Sequence, residues 1–418
     1  MTERHRVVVT GMGLVTAVGL DVESSWAALL AGASGVGPIT LFDASDQAVR
    51  FAAEVKNFDP ELYMDRKEVK RADRFLQLAM ATAEQAMRQA GLEARTADDP
   101  TDRMGVIVGS GIGGLATLEA QHSKMLERGP SRVSPFFIPM FIADMAPGMI
   151  SMRYGARGPN YATVSACASS AHALGLAVRS LRNGEADVMI AGGTESTITP
   201  LCMAGFASMK ALSERNDSPE TASRPFDADR DGFVLGEGAG MLVLETVEHA
   251  RERGAPILGE LAGFGQSADA YHMTAPAPGG VGAQLAMRDA LADAGVAPAD
   301  IDYVNAHGTS TPANDATETA AIRQLFGVHA DRLIVSSTKS MTGHTLGAAG
   351  AVETAICLLA ARDGIVPPTM NYTTPDPECD LNYAPNAPVR RDVKLALSNS
   401  FGFGGHNVAL VVRRWEEA

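Results

Sequence analysis

An α/β fold built on parallel strands is predicted by three features of the sequence. First, the stretch Tyr161-Ala-Thr-Val-Ser-Ala-Cys167-Ala-Ser-Ser-Ala-His172 is a short apolar run that stops at a cysteine, where helical spacing begins through Ala171, Leu174, Leu176, Val178 and Leu181. Asn183-Gly184 supplies a stop, and Asp187–Ala191 reads as the next strand, completing a βαβ unit. Second, 42 glycines and 6% aromatic residues suit tight strand-to-helix turns and close helix packing. Third, the same strand-helix-strand pattern starts again near residue 255.

The 418 residues suggest roughly 2 to 3 domains on length alone, and 46% hydrophobic content is ample for a large core. A net charge of -14 argues against general nucleic-acid binding and against anionic membrane surfaces, so an acidic partner would need a local basic patch. Cys167, Cys202, Cys357 and Cys379 are scattered and the N-terminus leads straight into a strand, so a reducing cytoplasmic setting is expected. No apolar run approaches the ~20 residues of a membrane-spanning helix.

Along the chain, Arg6–Thr10 reads as a strand ending in Gly11-Met12-Gly13, with a helix from about Glu23 to Ala31 that Gly32 ends. Residues 38–62 read as loop and short strands. Asp65–Arg74 then packs five positive charges, Arg66, Lys67, Lys70, Arg71 and Arg74, ahead of a helix from Phe75 to Ala90. Met104–Val108 is a strand opening onto Gly109-Ser-Gly-Ile-Gly-Gly114. That run matches G-x-G-x-x-G before a helix but lacks the second strand and acidic residue of a dinucleotide fold, so glycines that tighten a turn are the preferred reading. Asp227-Ala-Asp229-Arg-Asp231-Gly232 opens like a calcium loop and fails at Gly238, where a bidentate glutamate is needed. It reads as a turn into the strand Gly240–Glu245, and no metal site is predicted.

In the second half, Ile257–Gly263 reads as a strand, Gln284–Ala294 as a helix, Ile301–Asn305 as a strand ending at His307, and Leu333–Ser336 as another strand. A small-residue helix follows from Leu346 to Arg362. Leu395–Leu397 and Val408–Val412 read as a hairpin around Phe401-Gly-Phe-Gly-Gly405. Chemistry-bearing residues thus recur just after strand C-termini, where α/β sheets bind ligands.

Each histidine or cysteine alone is more often structural. Together, Cys167 at a helix start, His307 in Asn305-Ala-His-Gly-Thr-Ser-Thr311 and His344 in Lys339-Ser-Met-Thr-Gly-His344 point to acyl transfer. The helix dipole is expected to lower the thiol pKa, so that a thiolate accepts the acyl group. Two imidazole N–H donors could hold an enolate oxygen.

Throughout its length the chain resembles the elongating β-ketoacyl-acyl-carrier-protein synthases, most closely the synthase II type. The matching segments are Val164–Ser170, Arg224–Ala239, Asn305–Asp315, Val335–Glu353 and Asn399–Asn407. The resemblance implies a thiolase-like five-layered αβαβα sandwich of two similar halves, residues 1–254 and 255–418, and a homodimer. It implies Cys167 as the acylated nucleophile, His307 and His344 as the groups for malonyl decarboxylation, and Lys339 and Glu353 as a supporting charged pair. The amides of Cys167 and Phe403 would form the oxyanion hole, with Phe403 as a gate on its glycine hinge. Thr309 and Thr311 would touch the phosphopantetheine arm, Ile112, Phe206 and Phe401 would contact substrate, and Phe137 would reach across the dimer. No cofactor is implied, because the substrates ride on the phosphopantetheine of acyl carrier protein.

The Cys-His-His set speaks against the initiating relatives, which use Cys-His-Asn, and against thiolases, which use a second cysteine. Retention of Cys167 speaks against noncatalytic chain-length factors. A polyketide or specialised-lipid ketosynthase stays open, and a nicotinamide oxidoreductase is the outside alternative. For the acidic carrier, Lys67, Lys70, Arg71 and Arg74 have the i, i+3, i+4, i+7 spacing of one helical face beside Arg66, with Arg132 and Lys210 nearer the pocket mouth by resemblance.

Overall fold

The computed structural model describes residues 5–416. Ten strands form one sheet: β1 (Val7–Val15), β2 (Met104–Gly109), β3 (Asn160–Thr163), β4 (Val188–Glu195), β5 (Gly238–Thr246), β6 (Gly259–Ala268), β7 (Tyr303–Asn305), β8 (Ile334–Ser336), β9 (Leu395–Gly402) and β10 (His406–Arg413). Their spatial order is β8-β7-β9-β10-β6-β1-β5-β4-β2-β3.

That order is one five-strand pattern used twice. In the first half β1 runs antiparallel to β5 and β5 to β4, while β4, β2 and β3 are parallel. In the second half β6, β10, β9, β7 and β8 repeat the same directions in the same positions. The halves meet at β1 and β6 through two residue pairs, Val8 with Glu260 and Val9 with Gly259.

Helices Arg74–Gln89 and Val281–Ala294 cover the outer faces of β1/β5 and β6/β10, and helices Ser169–Arg182 and Ala349–Asp363 pack against each other and against strands of both halves. The result is the five-layer αβαβα arrangement. The last helix is buried on almost every side, which is why its sequence is apolar and small all round rather than striped.

Glycine sets the spacing of the outer layers. A Cβ on Gly11 or Gly13 of β1 would lie 2.0 Å from the carbonyl of Ala86 or Thr82, and one on Gly265 of β6 would lie 2.0 Å from that of Ala286. Gly11-Met-Gly13 is therefore neither a strand end nor a phosphate loop. The strand continues to Val15 because these positions face a helix backbone.

The basic run departs from its expected form. Asp65 caps a one-turn helix, Arg66–Val69, that stops at Lys70, and Asp73 caps a separate helix from Arg74. Two N-capping aspartates eight residues apart break what spacing alone reads as one face. The small-residue helix likewise starts at Ala349 after a 3₁₀ turn at Leu346–Ala348. Helices Met145–Tyr154 and Pro312–Phe326 have no counterpart in the sequence reading; Pro147 and Gly148 break the pattern of the first, and Pro at the first helical position was the available signal for the second.

The central layer leaves no room for a side chain at Gly350, where a Cβ would meet Ala171 Cβ at 2.7 Å and the Ala171 amide nitrogen at 2.8 Å. Gly350→Val is expected to destabilise the fold by about 1–3 kcal/mol, read as a lowered midpoint in thermal or urea denaturation. An unchanged midpoint would contradict the tight central contact.

Candidate active site

Two turns of the same shape carry the site. Ala166 (φ +51°) precedes Cys167 and Leu346 (φ +46°) lies two residues after His344; each starts a 3₁₀ turn that runs into one of the two central helices. Left-handed backbone at a residue with a Cβ is unfavourable, and here it turns the chain sharply from the strand layer into the helix layer. Gly402 at the end of β9 permits the closest approach, since a Cβ there would lie 2.5 Å from the Ser165 carbonyl oxygen and 3.2 Å from the Cys167 amide.

These constraints bring Cys167, His307 and His344 together from three distant segments. The Nε2 of His344 lies 3.0 Å from the Cys167 sulfur. The two imidazole centroids are 5.3 Å apart with planes at 84°. All three side chains are buried, with ligating atoms within 4.8 Å of one another, so the cluster also has the geometry of a small sulfur-nitrogen donor set.

The electrostatics differ from the sequence expectation for the cysteine. Burial pushes the Cys167 thiol up to about 12, with Lys339 and the backbone amides of Phe403 and Cys167 acting in the opposite direction. Burial is the largest influence on this thiol and acts against the expected lowering. The opposing action of the Phe403 and Cys167 amides puts both close to the sulfur, where the expected oxyanion hole would be. Burial also holds His307 and His344 well below the usual imidazole range, reinforced by the Lys339 charge.

Lys339 is itself buried, donating to the His307 carbonyl oxygen at 2.6 Å and pairing with Glu353. Burial raises Glu353 to about 7 against the pull of that ammonium.

Two buried carboxylates that the sequence reading passed over anchor the loops. Glu318 accepts from the amides of His307 and Gly308, both at 2.8 Å, and from Asn399 Nδ2 at 3.1 Å. Glu195 accepts from the amides of Gly111 (2.6 Å), Ile112 (3.2 Å) and Gly347 (3.0 Å) and from Ser110 Oγ (3.1 Å). The glycine-rich turn after β2 is therefore a nest around a glutamate of its own chain. Asp227, which opens the calcium-like segment, is likewise taken up by the amides of Asp229, Thr373 and Thr374.

A cavity of about 510 Å³ leads to the sulfur. Ile112, Phe206, Thr309, Thr311, Phe401, Phe403 and Lys210 all line it. The Thr309 and Thr311 hydroxyls lie 2.8 Å apart. Phe206 stands edge-on to Phe233 at 5.2 Å, and Phe233 to His344 at 5.4 Å, which carries an apolar wall to the catalytic cluster. Phe403 is partly exposed, followed by Gly404 and Gly405 at φ +91° and +75°. Phe137 does not line this cavity and stacks on Phe141 instead.

Of the basic residues, Arg66, Lys67, Lys70, Arg71, Arg132 and Lys210 are exposed. Arg74 is not part of that surface. Its guanidinium is committed to Glu237 at 2.8 Å and to the Val55 carbonyl oxygen at 2.7 Å, because the second capped helix turns it inward. Arg71 lies over the Phe136 ring, 4.5 Å from its centroid.

Comparison with known proteins agrees with this geometry. Residues 4–250 match the family model described as the β-ketoacyl synthase N-terminal domain, and residues 258–373 match its C-terminal domain. The chain is 54% identical to the 3-oxoacyl-[acyl-carrier-protein] synthase 2 of Synechocystis sp. and 53% identical to that of Coxiella burnetii, covering 99% of both chains in each case. Among solved structures, a β-ketoacyl synthase from Burkholderia phymatum superimposes with a TM-score of 0.91 at 38% identity, covering 99% of this chain and 100% of that one. A type II polyketide acyl-carrier protein in complex with its ketosynthase bound to the hexaketide also matches at a TM-score of 0.91, with 35% identity and the same coverage. A duplicated five-strand sheet, a buried Cys-His-His cluster and family matches over both halves lead to one conclusion: this chain belongs to the β-ketoacyl synthase family.

Proposed function

We propose that the chain is a 3-oxoacyl-[acyl-carrier-protein] synthase that elongates acyl chains in fatty acid synthesis. The observation that carries this reading is the buried convergence of Cys167, His307 and His344 at the end of an apolar cavity. In the loading step the Cys167 sulfur attacks the acyl thioester, the sulfur-carbon bond to pantetheine breaks, and the thiol proton ends on the departing pantetheine sulfur. The amides of Cys167 and Phe403 receive the oxyanion. Malonyl thioester then loses carbon dioxide. The freed electron pair becomes an enolate whose oxygen accepts from the neutral imidazoles of His307 and His344, and its carbon attacks the acyl group on Cys167. The β-ketoacyl thioester leaves, and one proton from solvent restores the thiol.

Lys339 and Glu353 act behind His307, holding its carbonyl and its charge environment. Thr309 and Thr311 suit the amides of a phosphopantetheine arm, and Ile112, Phe206 and Phe401 suit an acyl chain. Phe403, on two left-handed glycines, suits a gate. The chemistry needs no cofactor beyond the carrier's own arm. Identity of 53–54% with synthase 2 relatives favours fatty acid elongation over the polyketide reading, whose structural relative stands at 35%.

A homodimer is supported by the edge strand β3, which among the described residues has no partner on its outer side, and by apolar residues exposed nearby in sequence, Phe136, Ile138, Met152, Tyr161 and Val164. Phe137, placed outside its own cavity, would then serve the second copy. Residues 1–254 and 255–418 are taken as the two halves, consistent with the family matches on either side of residues 251–257. Four free cysteines, and the lack among the described residues of any helix able to cross a membrane, suit a cytoplasmic enzyme.

Acylation is expected on Cys167 and on none of Cys202, Cys357 or Cys379, read by intact mass and peptide mapping after incubation with acyl-carrier protein. His307→Ala and His344→Ala should each slow malonyl decarboxylation ~100 to 1000-fold; wild-type decarboxylation in His344→Ala would remove its role as a donor.

The pH dependence follows from the lowered imidazoles. A base whose pKa is lowered stays neutral as pH falls through the ordinary value of 6.5. Decarboxylation should therefore stay flat between about pH 8 and about pH 6, and a half-maximal loss near 6.5 would place an ordinary imidazole in the rate.

Docking of the acidic carrier is assigned to Arg66, Lys67, Lys70 and Arg71, with Arg132 and Lys210 nearer the mouth, and Arg74 left out. Charge reversal of Lys67, Lys70 and Arg71 to Glu should raise KM for acyl-carrier protein and weaken its salt dependence, leaving turnover of a short acyl-pantetheine near wild type. An equal loss with both substrates would move the docking site elsewhere.

A further inference from the structure

One imidazole beside the nucleophile has no part in the chemistry above. His172 sits in the first turn of the helix Ser169–Arg182, with its Nδ1 2.7 Å from the hydroxyl oxygen of Ser165. Ser165 is held from the other side as well, its amide donating to Ser169 Oγ at 2.9 Å, while Ser169 Oγ donates to the Ala166 carbonyl oxygen at 2.7 Å. These bonds close around Ala166, the left-handed residue that turns the chain into Cys167.

The imidazole is fixed in its plane. It meets Phe264 and His406 edge-on, each at 6.4 Å and 82°. The Gln266 side chain and the Ala168 carbonyl are its further hydrogen-bonding neighbours, and Arg179 is the nearby cation. Burial holds the ring below the ordinary imidazole range, and Nδ1 and the Ser165 hydroxyl are hydrogen-bonded to each other. His406 lies in turn against the hinge, because a Cβ on Gly404 would come within 2.9 Å of its Nε2.

We propose that His172 is a positioning residue for the nucleophile: by holding the Ser165 hydroxyl it keeps Ala166 left-handed and the Cys167 sulfur aimed at His344, braced through His406 against the glycine hinge. The inference rests on Cys167 being the acylated residue.

The test measures loading of Cys167 by a short acyl-pantetheine, followed by intact mass, alongside malonyl decarboxylation, which needs no attack by sulfur. His172→Phe keeps a ring and its edge contacts but has no nitrogen, Ser165→Ala removes the other end of the bond, and His172→Asn restores a polar atom near the Nδ1 position. Loading is expected to fall about tenfold in His172→Phe and in Ser165→Ala, mainly through kcat. The double variant should fall no further than either single one. His172→Asn should recover to within about threefold of wild type, and decarboxylation should stay within about twofold throughout. Wild-type loading in His172→Phe, additive losses in the double variant, or decarboxylation falling in step with loading would each overturn the proposal. If His172→Phe does not fold, Ser165→Ala and His172→Asn decide it by the same criteria. Failure of the wild type to load at Cys167 would instead overturn the nucleophile assignment and this inference with it.

Discussion

A lysine ammonium lies almost without solvent in the middle of this molecule, and the active site is arranged around neutralising it. Moving such a charge out of water costs several kcal/mol before it finds partners. Lys339 finds two, the carboxylate of Glu353 on a central helix and the backbone carbonyl of His307. Those bonds tie three segments of the second half to one point. The same charge then acts on its surroundings, helping burial keep both imidazoles neutral and opposing the burial that keeps the Cys167 proton on sulfur. Burial thus dominates the shifts of the groups that react and this one cation modulates them, and removing Glu353 would leave an uncompensated charge in a medium that cannot solvate it.

The duplication explains how so many polar groups can sit in the centre of a domain. Each half delivers a strand end, a sharp turn and a buried helix to the same place, so the two central helices meet with their small residues in contact and their preceding turns side by side. Backbone amides at these turns have no helical partner, and buried carboxylates supply one. Glu195 gathers the amides of the glycine-rich turn after β2 and of Gly347, linking the halves, while Glu318 gathers those of His307 and Gly308. Engaging these donors inside the fold leaves the cavity predominantly apolar around the thiol and the two imidazoles.

Cys167, His307 and His344 stand at strand ends within ordered motifs, and residue chemistry alone marks them as a set. Glu195 and Glu318 do not stand out, because a glutamate at the end of a strand or inside a helix looks like any surface acid until its burial is known. The same holds for the thiol. A helix N-terminus favours the thiolate, but desolvation opposes it, and only the surrounding packing sets the size of that penalty. Spacing groups Arg74 with its neighbours, whereas Asp73, by capping a new helix, turns it toward Glu237.

By itself the sequence determined the α/β class, the repeated strand-helix pattern, most elements to within a few residues and the three reactive side chains, because these follow from local periodicity, turn chemistry and residue type. The tertiary structure decided what depends on separations in space rather than along the chain. It set the join of two five-strand patterns into one sheet at β1 and β6, the distance between sulfur and imidazole across 177 residues, the direction of every shifted pKa and which cations remain in water. Proximity and desolvation are properties of the packed interior, and no order of residues states them until the chain has closed on itself.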